Sequence, residues 1–531
     1  MRRYSNAPVR LYGGLNLAMA DSDVPPGMCR QLTNIEIDPL GRYRRVLGFE
    51  RFDGRSSPTT IQIGDLPDYP FPDNETALAA LDAAMDAQRA LIQPVPGEGP
   101  VIGAFLYQGE VFAMRNEVGG AEAKLYKATA TGWQVIVTPT LNAGGQLETR
   151  LMNFKGNADA VKIYGVDGKN PAFSFDGTTF TQIAGPISPD APITIEALPS
   201  QVLLLGYRGG SFVYSAVGEP TDFTANNGGG EIAVGDEITA MAVQPDNTCA
   251  IGCKNRTYVL YGTSDADFQL KSLSTRIGMR SGTVQTISDS VFVDDRGLTQ
   301  LHRIQEFGDF DQALISQAVE SLLVNKIEQI TCSMVVKAKN QYRLFFDDGT
   351  ALCVTFMADG QPHYFKLNYR TAFACTASGE SLSGEELLFA GGNDGYLYQL
   401  DKSFSFDGTE YPSVLRTNLM DFGSPEIKKR WHKLVVELDE VIEVQLQSRL
   451  YFDEDNPDAP PQQLVFGSGA LWDVAHWDQA HWASRSSARA DLYPEGVGCS
   501  VAVQLAMSSK RMPPHVFSKL HLHTKVLGRR R

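Results

Sequence analysis

Apolar and polar positions alternate in short runs along most of this chain. From about residue 101 to 410 the runs include Gly103 to Met114, Lys124 to Lys127, Trp133 to Val137 and Val202 to Tyr207, separated by Gly, Asn and Asp. A period of two places successive side chains on opposite faces of a strand, and short runs bounded by turn residues predict strands rather than helices. Phe175-Asp176-Gly177, Asn393-Asp394-Gly395 and Phe406-Asp407-Gly408 are hairpin signals, because Asp-Gly steps supply the backbone angles a tight turn needs.

The runs group into approximate units, each opening on an apolar strand and closing on an aromatic one. They fall near 101–137, 150–183, 200–223, 238–270, 283–304, 331–356 and 371–400. A spacing of roughly 35 to 50 residues is the scale of four-stranded propeller blades. The pattern predicts a mainly β fold: an irregular six- or seven-bladed β-propeller over 101–410. With no WD or kelch signature, a sandwich stays open as the alternative.

One stretch has a different period. After Asp73 or Asn74 as N-cap, Leu78, Leu81, Met85 and Ile92 recur at helical spacing in Ala-rich sequence that stops before Pro94. It predicts one short helical insertion within 55–100. Residues 1–54 read as strands and turns, an N-terminal arm completing or docking the propeller. Residues 411–531 read as a β-sandwich-like attachment domain, with strands at Trp431 to Leu438, Val441 to Tyr451, Cys499 to Met507 and Val516 to Val526.

At 531 residues, several packed units are expected. No run approaches the roughly 18 apolar residues of a membrane span, and the N-terminus lacks a signal-peptide core, so no membrane anchor and cytoplasmic synthesis are expected. Seven scattered cysteines predict reduced, buried thiols rather than a disulfide framework. The formal charge of −15 argues against a protein that wraps nucleic acid through phosphate neutralisation. The sign is uneven, however. Arg42, Arg44 and Arg45 cluster near one end, and after Glu495 every charged residue is basic, ending in Arg529, Arg530 and Arg531. These are candidate docking residues for an acidic partner surface, the alternative being plain solvated ends.

The sequence from Leu471 to Trp482 repeats with period five and carries Trp472, Trp477 and Trp482, three of the five tryptophans. That period fits neither a helix face nor a strand face and predicts an irregular loop. Exposed, the rings would stack on sugars or anchor a partner subunit; buried, they would plug the domain or a subunit contact. His476 and His481 lack the spacing and third ligand of a zinc site, and Cys249 and Cys253 lack a second pair. Motifs for phosphate binding, a nucleophile elbow or a zinc protease are missing, and Asp294, Asp295, Asp347 and Asp348 stand where turns explain them. The chain reads as neither an enzyme nor a cofactor protein.

Several phrases occur in a telling order. Tyr12-Gly13-Gly14-Leu15-Asn16, Val24-Pro25-Pro26-Gly27 and Arg42-Tyr43-Arg44-Arg45-Val46-Leu47-Gly48-Phe49 open the chain. Pro94 to Val101, Tyr214-Ser215, Gly218 to Phe223, Val234 to Ile238, Asp294 to Gly297 and Phe307 to Phe310 follow. Together they resemble tailed-bacteriophage virion proteins of the packaged-DNA stabilisation, or tail nozzle, type. The resemblance implies a propeller subunit in a sixfold ring of the virion tail, beside tail adaptor and fibre or spike proteins. Packaged DNA would pass through its lumen without sequence recognition. Six copies at −15 each carry about −90, and an acidic lumen would let DNA slide. A carbohydrate-recognising tail protein for host attachment is the alternative.

Overall fold

The computed structural model describes residues 5–156, 160–303, 310–439, 444–453, 462–466, 488–493, 496–511 and 513–529. Among them the chain builds a β-propeller whose blades are antiparallel meanders. Blade one comprises Glu98–Tyr107, Glu110–Asn116 and Glu122–Thr129, with Gly132–Val135 and Leu141–Asn142 both pairing to the third strand. Blade two runs from Glu148–Asn153 to Phe180–Ile183, blade three from Thr194–Leu198 to Gly230–Ala233, blade four from Ile238–Val243 to Gln269–Ser274 and blade five from Gln285–Thr286 to Phe310–Leu314. Blade six, Ile330–Val336 to Pro362–Asn368, is the only one fused into a larger sheet among the described residues. Blade seven holds Phe373–Glu380, Glu386–Gly392 and Leu397–Leu400. Its first strand packs against that of blade one and closes the ring. Six free-standing sheets and one fused sheet thus make seven blade-like meanders among the described residues.

The fourth strand of blade seven comes from the other end of the chain. Phe49–Phe52 pairs antiparallel with Leu397–Leu400, Phe49 opposite Leu400 and Phe52 opposite Leu397. Phe49 is buried, and its ring centroid lies 5.0–6.0 Å from those of Tyr369, Phe373, Tyr398 and Phe406. Edge-to-face packing of this kind adds to the area term. The latch is therefore held by hydrogen bonds along one edge and by an aromatic cluster beneath it.

The rest of the N-terminal arm belongs elsewhere. Ile35–Ile37 and Tyr43–Arg45 join Val516–Arg529, Ile427–Asp439 and Ala488–Leu492 in one sheet, to whose central strands Ser5–Val9 and Gly496–Gly498 also pair. Cys29–Thr33 pairs with Tyr411–Thr417, which leads through Val501–Ser509 and Val444–Phe452 to Gln462–Phe466 in the second sheet. That sheet also continues into blade six, since Thr33 pairs in parallel with Lys366. Tyr411–Thr417 shows the strict alternation of buried and partly exposed residues of a half-buried strand, and Trp431, Leu434, Val436, Leu520 and Leu522 share the core with Val501, Val503 and Leu505. Sandwich and blade six share one continuous apolar cluster. At this seam Leu15 donates from its backbone N–H to the Tyr364 carbonyl at 2.7 Å. Gly14 there has φ +74°, and an added Cβ would lie 2.7 Å from the Tyr364 oxygen.

The insertion holds a helix over Asn74–Leu91, N-capped by Asp73, whose carboxylate accepts the Thr76 N–H at 2.7 Å. It bridges the two bodies. Near its end Arg89 lies 3.3 Å from Asp407, beside blade seven, while Asp82 pairs with Lys510 and Arg511 of the sandwich. Among the described residues no helix is long and apolar enough to cross a membrane.

Candidate functional site

The first strands of the seven blades line a central cavity of about 980 Å³. Its most polar stretch is on blades two and three. Glu148 and Arg150 lie on the same side of Glu148–Asn153, and Glu196 sits in the middle of Thr194–Leu198. The Arg150 Nε donates to Glu196 Oε1 at 3.0 Å, its Nη2 lies 2.9 Å from Glu148 Oε1, and its Nη1 donates to the Thr149 carbonyl at 3.0 Å. The Ala197 N–H also donates to Glu196 Oε1, at 3.0 Å. One guanidinium thus clasps two carboxylates and two blades.

The Glu148 and Arg150 side chains are 31% exposed to the cavity, yet the surrounding protein still shapes their electrostatics. Burial holds the Glu148 carboxyl above the usual carboxylate range, and nearby Glu196 adds to this against the pull of Arg150. Burial works against the Arg150 charge, but Glu196 and Glu148 outweigh it and keep the guanidinium above its ordinary value. Burial also pushes the Cys249 thiol well up, so it is protonated and unreactive at neutral pH. Chemically the cluster is an ion-pair clasp in the wall of the central cavity.

Because the folded Glu148 carboxyl titrates above its unfolded value of about 4.3, its stabilising contribution is complete below that pH and is lost as pH rises through the folded value. Glu148→Gln is therefore expected to gain on the unmodified chain as pH is raised from 4 toward neutrality. Urea midpoints across that range check this, and parallel pH profiles would contradict it.

A second charged cluster, not anticipated from the sequence, lies where sandwich, blade six and blade seven meet. Arg343 donates to both carboxylate oxygens of Asp401, at 2.9 and 2.7 Å, while Lys339 reaches Asp401 at 2.8 Å and Glu36 at 2.7 Å. Arg343 is 1% exposed and Glu36 3%. Burial pushes the Asp401 carboxyl up, but Arg343 and Lys339 outweigh it and hold it well below the carboxylate range. A third buried cation, Lys429, is caged by the carbonyls of Asp421, Ser424 and Cys499 at 2.8–2.9 Å. The sequence signal for the second cluster is an Arg inside Gln341–Phe346, a strand buried at every position.

The residues expected to carry function have varied placements. Trp472, Trp477 and Trp482, with His476 and His481, lie outside the described residues, as do Arg530 and Arg531; Arg529 ends the strand Val516–Arg529. Arg42 is exposed and pairs with Asp38 at 2.7 Å, and Arg44 is half-buried in a strand opposite Glu36. Arg45 corrects the expectation of a docking cation. It is fully buried, donates to the Ser509 carbonyl at 2.7 Å and lies 4.1 Å over the Tyr411 ring, so its charge is used inside the sandwich. Asp294 accepts the N–H groups of Arg296 and Gly297, and Asp348 that of Thr350, so both close hairpins. All seven cysteines are free and buried. No group of three metal-ligating side chains occurs among the described residues.

Among the described residues, the sheets and the central cavity define a β-propeller of seven meanders fused to a β-sandwich. No protein-family model matches the sequence, and no curated protein does. Among solved structures, virginiamycin B lyase from Staphylococcus aureus is 10% identical with a TM-score of 0.40, covering 58% of this chain and 98% of its own. The computationally designed Ika8 protein is 12% identical with a TM-score of 0.36, covering 58% and 98% in the same way.

Proposed function

We propose that this chain is a structural subunit of a bacteriophage tail, assembled as a hexameric nozzle ring that retains packaged DNA and lets it pass during ejection. The observation that carries this reading is the seam. The opening phrases of the resemblance, Tyr12 to Asn16, Val24 to Gly27 and Arg42 to Phe49, are the segments that join propeller to sandwich. Leu15 bonds to Tyr364 of blade six, Tyr12 donates to the Gly27 carbonyl at 3.0 Å, and Gly48 donates to the Ser403 carbonyl at 2.6 Å beside blade seven. Two domains fused through one sheet and one core, with a helix strapped across them, make a stiff block, and a channel part needs stiffness more than a reactive group. In this role the protein works in the virion beside adaptor and fibre or spike proteins, and DNA slides past a net acidic body.

The test is position. In purified particles bearing an epitope-tagged copy, six copies at the tail axis are expected by cryo-electron microscopy. Tag density on peripheral fibres, or none in the particle, would overturn the reading.

A further inference from the structure

The sandwich carries a basic sheet face on an acidic protein. In Ile427–Asp439, inward Trp431, Leu434, Val436 and Leu438 are fully buried, which turns Arg430, Lys433 and Glu437 outward. The register sets Lys525 and Val497 opposite Arg430, His523 opposite Lys433, and Lys519 and Arg489 opposite Glu437. With exposed Lys428, the face holds six Lys and Arg against two carboxylates, Glu437 and Asp491, a net +4 where the chain as a whole is −15. Those two carboxylates are already engaged, Asp491 by Lys433 and Arg489 and Glu437 by Lys519 at 3.4 Å. The excess charge therefore gathers at Lys428, Arg430 and Lys525, beside Val497, which is 42% exposed.

The complementary surface is on the same chain. Between Arg55 and Arg89 there are six acidic residues and no basic one. Asp65, Asp68, Asp73 and Glu75 are exposed there, next to Tyr69 at 43% exposure. The insertion's other end already grips sandwich cations within the chain, through Asp82 with Lys510 and Arg511. Matching potentials steer encounter and fix register, while exposed apolar side chains supply the contact core.

We infer that the basic sandwich face of one copy receives the acidic insertion of a second copy. This is a heterologous, head-to-tail contact, the type that generates rings when the rotation closes. The inference rests on the ring assembly proposed above and names the two surfaces that make it.

The experiment measures the molar mass of the full chain by light scattering at low salt. Arg430→Glu with Lys525→Glu, and separately Asp68→Lys with Glu75→Lys, are each expected to weaken self-association at least tenfold with unchanged melting curves. A chain carrying all four reversals is expected to regain it, because the complementarity is restored with inverted signs. A monomeric unmodified chain, single reversals that leave the mass unchanged, or a quadruple variant that stays dissociated would overturn the inference. So would a face reversal that abolishes binding to duplex DNA while leaving self-association intact, since the face would then serve phosphates. If six copies sit on the tail axis while reversals have no effect, the ring stands and this interface falls. If charge exchange works but no particle contains the protein, the interface stands and the tail assignment falls.

Discussion

Replacing Asp401 with asparagine is expected to lower the unfolding free energy by about 3–5 kcal/mol, the cost of stranding one side of a buried ion network. Arg343 and Lys339 both lean on Asp401, and with its charge gone the carboxylate left to them among the described residues is Glu36, 2.7 Å from Lys339 but 4.0 Å from Arg343, whose other partners, Gln341 and Tyr369, are neutral. The pH dependence separates this from a packing defect. Because the folded Asp401 carboxyl titrates below its unfolded value of about 3.9, its stabilisation is present above that pH and disappears as pH falls toward the folded value. The gap between the chain and Asp401→Asn should be full from neutrality down to about pH 4 and narrow progressively as pH falls further. Guanidinium melts at pH 7, 5 and 3 would show it, and a gap constant with pH would mean that the charge is not what matters.

Phe49→Ala is expected to cost a similar amount, about 3–5 kcal/mol for a buried aromatic truncated against a rigid surround, with a second, qualitative effect. Phe49 anchors the strand that closes the propeller, so its loss loosens Phe49–Phe52 from Leu397–Leu400 and opens the edge of blade seven. Limited proteolysis should then cut within residues 53–97 and in blade seven before the other blades. Denaturant midpoints measure the first effect. Uniform protease resistance with only a lowered midpoint would show that the latch stays shut without its anchor.

Much of this architecture is legible in the sequence, and what is not has a physical reason. Hairpins announce themselves locally: Asp176, followed by Gly177, accepts the N–H groups of Thr178 and Thr179, and such turns mark the blades one by one. The helix is equally plain from Asp73 and its spacing. Pairing between distant segments leaves no local trace. Nothing in Phe49–Phe52 says that its partner lies some 350 residues away, so assigning 1–54 to one arm overlooks its division between latch and sandwich. Burial of charge is hidden for the same reason. Arg42, Arg44 and Arg45 look alike as a basic cluster, yet one is exposed, one half-buried and one fully enclosed over Tyr411. In the central cavity, Glu148 and Arg150 have the i, i+2 spacing of one strand face, but Glu196 joins them only once two blades are in place.

The latch also sets a timetable. A ribosome releases Phe49–Phe52 early, but the edge that receives it is not made until Leu397–Leu400 has left the exit tunnel, and the first sandwich sheet waits longer, for Val516–Arg529. At synthesis rates of roughly 5–20 residues per second, the closing strand spends on the order of 20 to 70 seconds without its partner. The nascent protein is in that interval an open arc with two sticky ends. Closure of the ring becomes possible only late in synthesis, once residue 400 is out, which makes the speed of translation up to that point, and any helper that shields the waiting strand, as consequential for yield as the stability of the finished molecule.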